Sequence, residues 1–112
     1  MALKLVYSTF PSVASAEAAG RRLVSARLAA CANILPAMIS IYEWQGSVER
    51  ADEVVLLLKT TSAQVGALMT ALDDAHPYDV PAIFQIAAED SPAAFAAWVE
   101  AQTRPAAGSS GG

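Results

Sequence analysis

One cysteine and one histidine are all that the 112 residues offer in thiolate and imidazole metal ligands. A lone Cys31 cannot close an intrachain disulfide, which suits a reducing compartment. No C-x-x-C, H-x-H or H-E-x-x-H spacing exists to build a tetrahedral metal site within one segment. Charge is scarce as well: 16% of the residues are Asp, Glu, Lys or Arg, against about 25% in soluble domains. Bases are the minority, with 7 Lys and Arg facing 11 Asp and Glu for a net charge of -4, and that balance excludes a sequence-independent grip on nucleic-acid backbones. No apolar run approaches the roughly 18 residues of a membrane span, and the start "MALKLVYSTF" has no signal-peptide pattern. A cytoplasmic protein with neither nucleic-acid nor membrane partner is expected. There is no Gly-rich phosphate loop, no G-x-S-x-G elbow and no nucleophile beside the histidine in sequence, so enzymatic activity is not expected.

What the chain has is apolar surface. Hydrophobic residues make up 54% of it; 25 of them are alanine, which buries little, yet Val, Leu and Ile still exceed an ordinary small core. Spare apolar surface on a small domain predicts self-association. The length suits one domain, read as residues 1–103, followed by a tail at 104–112, "RPAAGSSGG", with nothing to bury and the composition of a flexible linker or a tag remnant.

The spacing predicts a strand over 3–9, then Ser12 as the N-cap of a helix through "VASAEAAGRRLVSARLAA", with Ala16, Ala19, Leu23 and Ala26 on one face. Gly20 inside that helix implies close packing of helix on sheet. Residues 31–44 form a long strand bent at Pro36, Gln45-Gly46-Ser47 a turn, and 52–60 the returning strand. Thr61 and Gln64 fit a capping box for a second helix with the stripe Val65, Leu68, Met69 and Leu72. A strand over 82–90 and a last helix complete the chain, with Ser91 as N-cap, Pro92 at the first position and Phe95, Trp98 and Val99 as its buried face. The order β, α, β, β, α, β, α is an α+β, ferredoxin-like split βαβ sandwich with an added helix. Both long helices lie on one face of a four-stranded antiparallel sheet. Its other face and the hairpin edges are to be covered by sister subunits.

Two readings stand for His76 in "HPYDVP": a metal ligand with Asp79 and Asp73 three residues to either side, or a helix-terminating residue bonded locally in a proline-stiffened turn. Cys31 is either a soft ligand for copper or a buried inert thiol. Tyr42, Trp44 and Tyr78 line an intersubunit cleft or cement the oligomer. The Lys59 ammonium, at the end of an apolar strand, either reaches solvent or meets a carboxylate or ligand anion.

Several strings in order resemble the CutA divalent-cation tolerance proteins across residues 5 to 102: "TFP" at Thr9–Pro11, "LAAC" at Leu28–Cys31 with Asn33 and Pro36, "SIYEWQG", "EVVLLLKTT", "HPYDVP" and "FAAWV". The resemblance implies a tight homotrimer joined through the long hairpin strands. It also implies a role in the response to copper and other divalent metal ions, for which the residues weighed above, His76, Cys31 and Asp79, are the candidate ligands of Cu(II) or another divalent metal. The trimer also resembles that of PII-type signalling proteins, which bind small effectors in subunit clefts, and a purely structural trimer is the third alternative. Two positions depart from the family pattern: Ala82 stands where a glutamate is usual and Ser47 where a lysine is usual. Each removes a charge from the implied cleft.

Overall fold

The computed structural model describes residues 2–105. The order is β1 (Leu3–Phe10), α1 (Val13–Ser25), β2 (Cys31–Trp44), β3 (Ser47–Thr61), α2 (Val65–Ala75), β4 (Ile83–Ala87) and α3 (Ala93–Thr103). The strands form one antiparallel sheet in the order β2-β3-β1-β4, which is the ferredoxin-like arrangement expected. Alternation in β1 sends Val6, Ser8 and Phe10 to one face, where they meet Leu56 and Leu58 of β3, Ala16 and Leu23 of α1, and Leu68 and Leu72 of α2 in the core.

Ser12 caps α1 as expected, its Oγ accepting from the Ser15 amide at 3.1 Å. Gly20 lies where a Cβ would come within 3.0 Å of the Ala32 Cβ, so the glycine is the condition for α1 to rest this closely on β2. The helix stops at Ser25, short of residue 30. Leu28 N–H returns to the Leu23 carbonyl and Arg27 N–H to that of Val24, a Schellman closure with Arg27 in the left-handed region at φ 61°. That conformation costs about 1–2 kcal/mol for a residue other than glycine. Arg27 compensates by donating from Nε to the Arg104 carbonyl and from its guanidinium NH2 to the Ala101 carbonyl, which closes the C-terminal end of α3.

The β2–β3 hairpin turns through Gln45 and Gly46, both with positive φ, the type I′ geometry whose twist matches its strands. The bend at Pro36 is a β-bulge: the register passes from Leu35↔Val55 to Met38↔Glu53, three residues advancing on β2 against two on β3. β3 starts at Ser47, five residues before the expected strand. "SVERA" carries no apolar run of its own and is strand because it pairs with the outer half of β2.

Three local expectations are corrected. The Thr61–Gln64 capping box does not form: Thr61 is still in β3 and accepts from the Gln64 amide through its backbone carbonyl, while the Gln64 side chain reaches away to the Thr103 carbonyl. Ser91 does not cap α3; Pro92 holds that position without a side-chain bond, and the Ser91 amide instead donates to Asp90 Oδ1. In α3 only Val99 of the expected trio is buried, with Phe95 39% and Trp98 44% exposed, because the helix packs chiefly against the single strand β3. β4 is also shorter than expected, at five residues. Of the expected tail, residues 106–112 lie outside the described residues.

Candidate functional site

α2 ends because Pro77 disfavours helical geometry in the residue before it. His76 accordingly turns extended, at φ -75° and ψ 140°, and its amide closes back on the Asp73 carbonyl at 3.3 Å. The imidazole then folds onto β1. Nε2 lies 2.9 Å from the Thr9 carbonyl oxygen and 3.1 Å from Ser8 Oγ, and Nδ1 accepts from the Tyr78 amide at 3.1 Å. The Phe10 ring covers one side, with centroids 4.3 Å apart. Burial lowers the His76 pKa below its usual 6.5, against the smaller opposing pulls of the Thr9 carbonyl and Asp73.

Two residues on, the Tyr78 hydroxyl donates to Glu53 Oε2 at 3.4 Å. Burial raises the phenol pKa above 10.0, and Glu53 and then Tyr42 add to the shift by disfavouring the phenolate. The turn thus ties the end of α2 to β1 on one side and to β3 on the other, beside the bulge of β2. Ser8, Thr9 and Glu53 belong to this arrangement although none was singled out as a site residue from sequence. The available signal was Ser8 itself, a hydroxyl in phase with Val6 and Phe10 and therefore bound for the core, where it needs a polar partner. Ser8 and His76 do not make a nucleophilic pair. Ser8 is fully buried, and an Nε2 that donates to a carbonyl has no lone pair to take the serine proton.

The other candidates lie apart. Cys31 pairs with Lys59 across β2 and β3, whereas Thr9, against which His76 rests, pairs with Val55. That separates Cys31 from the His76 turn by about 13 Å along the strands and roughly 10 Å across them. Asp79 is exposed in the turn. Among the described residues no three His, Cys, Asp or Glu side chains are grouped to hold a metal ion, so the residues of a single chain do not fit one. Cys31 is half-buried, its thiol 3.5 Å from Asn33 Oδ1, beside a groove of about 610 Å³ that also runs past Glu17 and Arg21 of α1.

The expected cleft residues divide likewise. Tyr42 pairs with Glu49 on the outer part of the hairpin, close enough to Tyr78 to act on its phenol, Trp44 sits at the hairpin tip, and Lys59 lies at the far end of β3. The Lys59 ammonium stands 5.7 Å from the centre of the Phe95 ring, a cation–π contact at a hollow of about 150 Å³ under α3. Among the described residues no carboxylate is within salt-bridge distance of it. Ser47 and Ala82, the two charge-losing departures, fall at the hairpin tip and just before β4.

A βαββαβ sandwich with a long protruding hairpin and an added C-terminal helix defines a ferredoxin-like α+β protein. A profile of the CutA1 divalent ion tolerance protein family matches residues 4–102, and the chain belongs to that family. The Xenopus laevis protein CutA homolog is 38% identical over 97 residues, covering 87% of this chain and 64% of its own length. The chain thus spans under two thirds of that relative. The crystal structure of CutA from Xylella fastidiosa superposes with a TM-score of 0.87 at 36% identity, covering 91% of this chain and 98% of that one. The periplasmic divalent cation tolerance protein CutA of Archaeoglobus fulgidus superposes with a TM-score of 0.86 at 30% identity, covering 91% and 99%. Among the described residues no helix is long and apolar enough to cross a membrane.

Proposed function

We propose that this chain works as a homotrimer in the response to divalent cations, copper included, and that it holds metal through side chains that meet only between subunits. The observation that carries this reading is the apolar surface left uncovered by the chain itself. On the outer half of the hairpin Ile41 is 72%, Trp44 61% and Val48 75% exposed, and Leu35, Phe84 and Ile86 line the open sheet face. The strand order leaves β2 and β4 as edges on opposite sides of the sheet, so one copy's edge can take the next copy's other edge, a head-to-tail contact that closes as a ring. Three subunits are what the family resemblance implies. Such an assembly returns Cys31 and Asp79, separated within one chain, to consideration as ligands, a soft thiolate and a hard carboxylate contributed by neighbours. The role is one of binding rather than catalysis, and a cytoplasmic location accords with the unpaired thiol.

A second reading, a PII-like trimer binding a small effector, is favoured by one feature: Lys59 has an aromatic neighbour but, among the described residues, no carboxylate partner, beside a hollow. Equilibrium dialysis of the full chain against Cu(II) and Zn(II) separates the two. Stoichiometric uptake that Cys31→Ser abolishes supports the metal reading. No uptake, together with a thermal shift from a small organic anion that Lys59→Met removes, supports the effector reading and overturns the first. Neither response leaves the structural trimer.

A further inference from the structure

The histidine that draws attention as a metal ligand has no nitrogen to give. A backbone carbonyl can only accept, so Nε2, 2.9 Å from the Thr9 oxygen, carries the proton; a backbone amide can only donate, so Nδ1, 3.1 Å from the Tyr78 nitrogen, presents its lone pair there. Both ends of the ring demand the same tautomer. Ser8 Oγ at 3.1 Å shares the Nε2 proton or lies against it, and Phe10 and Tyr78 flank the ring with centroids at 4.3 and 5.1 Å. Metal coordination at Nδ1 would strip the Tyr78 amide of its acceptor, and coordination at Nε2 would require losing the bond to Thr9. Either choice leaves a buried or half-buried backbone group unpaired.

We infer that His76 is a neutral, Nε2-protonated positioning residue that fixes the 76–81 turn on β1 and so holds the Tyr78 hydroxyl against Glu53, and that it is not a metal ligand in the folded protein. The divalent-cation chemistry of this chain must then draw on other groups. The inference rests on the bonds of the ring alone and holds whether or not metal is taken up between subunits.

Because the chain has a single histidine, its two imidazole nitrogens give one unambiguous pair of signals in a protein labelled with 15N-histidine. Long-range 1H–15N correlation at neutral pH should show the Nε2–H tautomer, and saturating Zn(II) should shift neither nitrogen while dialysis records in parallel whether zinc is bound elsewhere. An Nδ1–H tautomer in the metal-free protein, or a zinc-dependent shift of either nitrogen toward a coordinated value, overturns the inference. His76→Gln, which keeps a donor within reach of Thr9, should retain more thermal stability than His76→Leu, with the same metal stoichiometry as the unsubstituted chain. A folded His76→Gln protein that has lost its metal would equally overturn it. Should either variant fail to fold, the tautomer measurement still decides the matter.

Discussion

The two halves of the β2–β3 hairpin are made of the same backbone ladder and live by different physics. From Val54 to Thr61 β3 pairs with β1, from Val55 to Lys59 it pairs with β2 as well, and α1 and α2 roof Leu56 and Leu58 until no surface remains. From Ser47 to Glu53 it pairs, among the described residues, with β2 alone as a two-stranded ribbon, and the molecule is drawn out to 51 Å in its longest dimension. A ladder hydrogen bond contributes only about 0.5–1.5 kcal/mol net, and an isolated two-stranded ribbon is marginal in water. The base is therefore held by its own core, while in the trimer proposed above the ribbon takes its apolar contact from another copy. The Pro36 bulge marks the boundary, and the His76–Tyr78–Glu53 bonds fasten the base to the first ribbon residue.

The comparison breaks most visibly in the base. Leu56→Ala empties a fully buried position and should cost about 2–5 kcal/mol, read as a drop in the denaturant midpoint that is present at every protein concentration. A cost below about 1 kcal/mol would mean that the base is not packed as described. Ile41→Glu should act differently: the midpoint of the unsubstituted chain should rise with protein concentration, and the variant should lose that dependence. A concentration-dependent midpoint surviving in Ile41→Glu would place the self-association elsewhere.

The smallest effect belongs to the fastening between the halves. His76 has a depressed pKa in the fold, so the unfolded chain binds more protons there as the medium acidifies; its contribution is fully present above about pH 6.5, the ordinary histidine value, and declines as pH falls below it. Thermal midpoints measured across that range should fall less steeply toward acid in His76→Gln than in the unsubstituted chain. Equal slopes would show that the imidazole is not buried neutral.

What could be read in the sequence follows the same division. The base was legible because its residues repeat with the period of their element: Ala16, Ala19 and Leu23 in α1, and Leu68 and Leu72 in α2, all prove buried. Gly20 announced a close approach that Ala32 supplies. The early part of β3 was not legible, since "SVERA" is strand through its partner and not through its composition. Phe95 and Trp98 look like core at helical spacing, yet α3 packs chiefly against β3 alone and both rings stay half out. For the candidate site, the turn around His76 could be expected from Pro77, but its partners could not. Ser8 and Thr9 lie nearly seventy residues away in sequence, and only the placing of β1 beside the end of α2 brings them to the ring.

The dependence of the ribbon on other copies is tested most directly by light scattering of the full chain at micromolar concentration, with Ile41→Glu/Val48→Glu as the companion. A mass three times the 11.6 kDa of one chain, falling to that of one chain in the double variant while α and β content persists, is the result expected. A well-behaved single copy of the unsubstituted protein would contradict it.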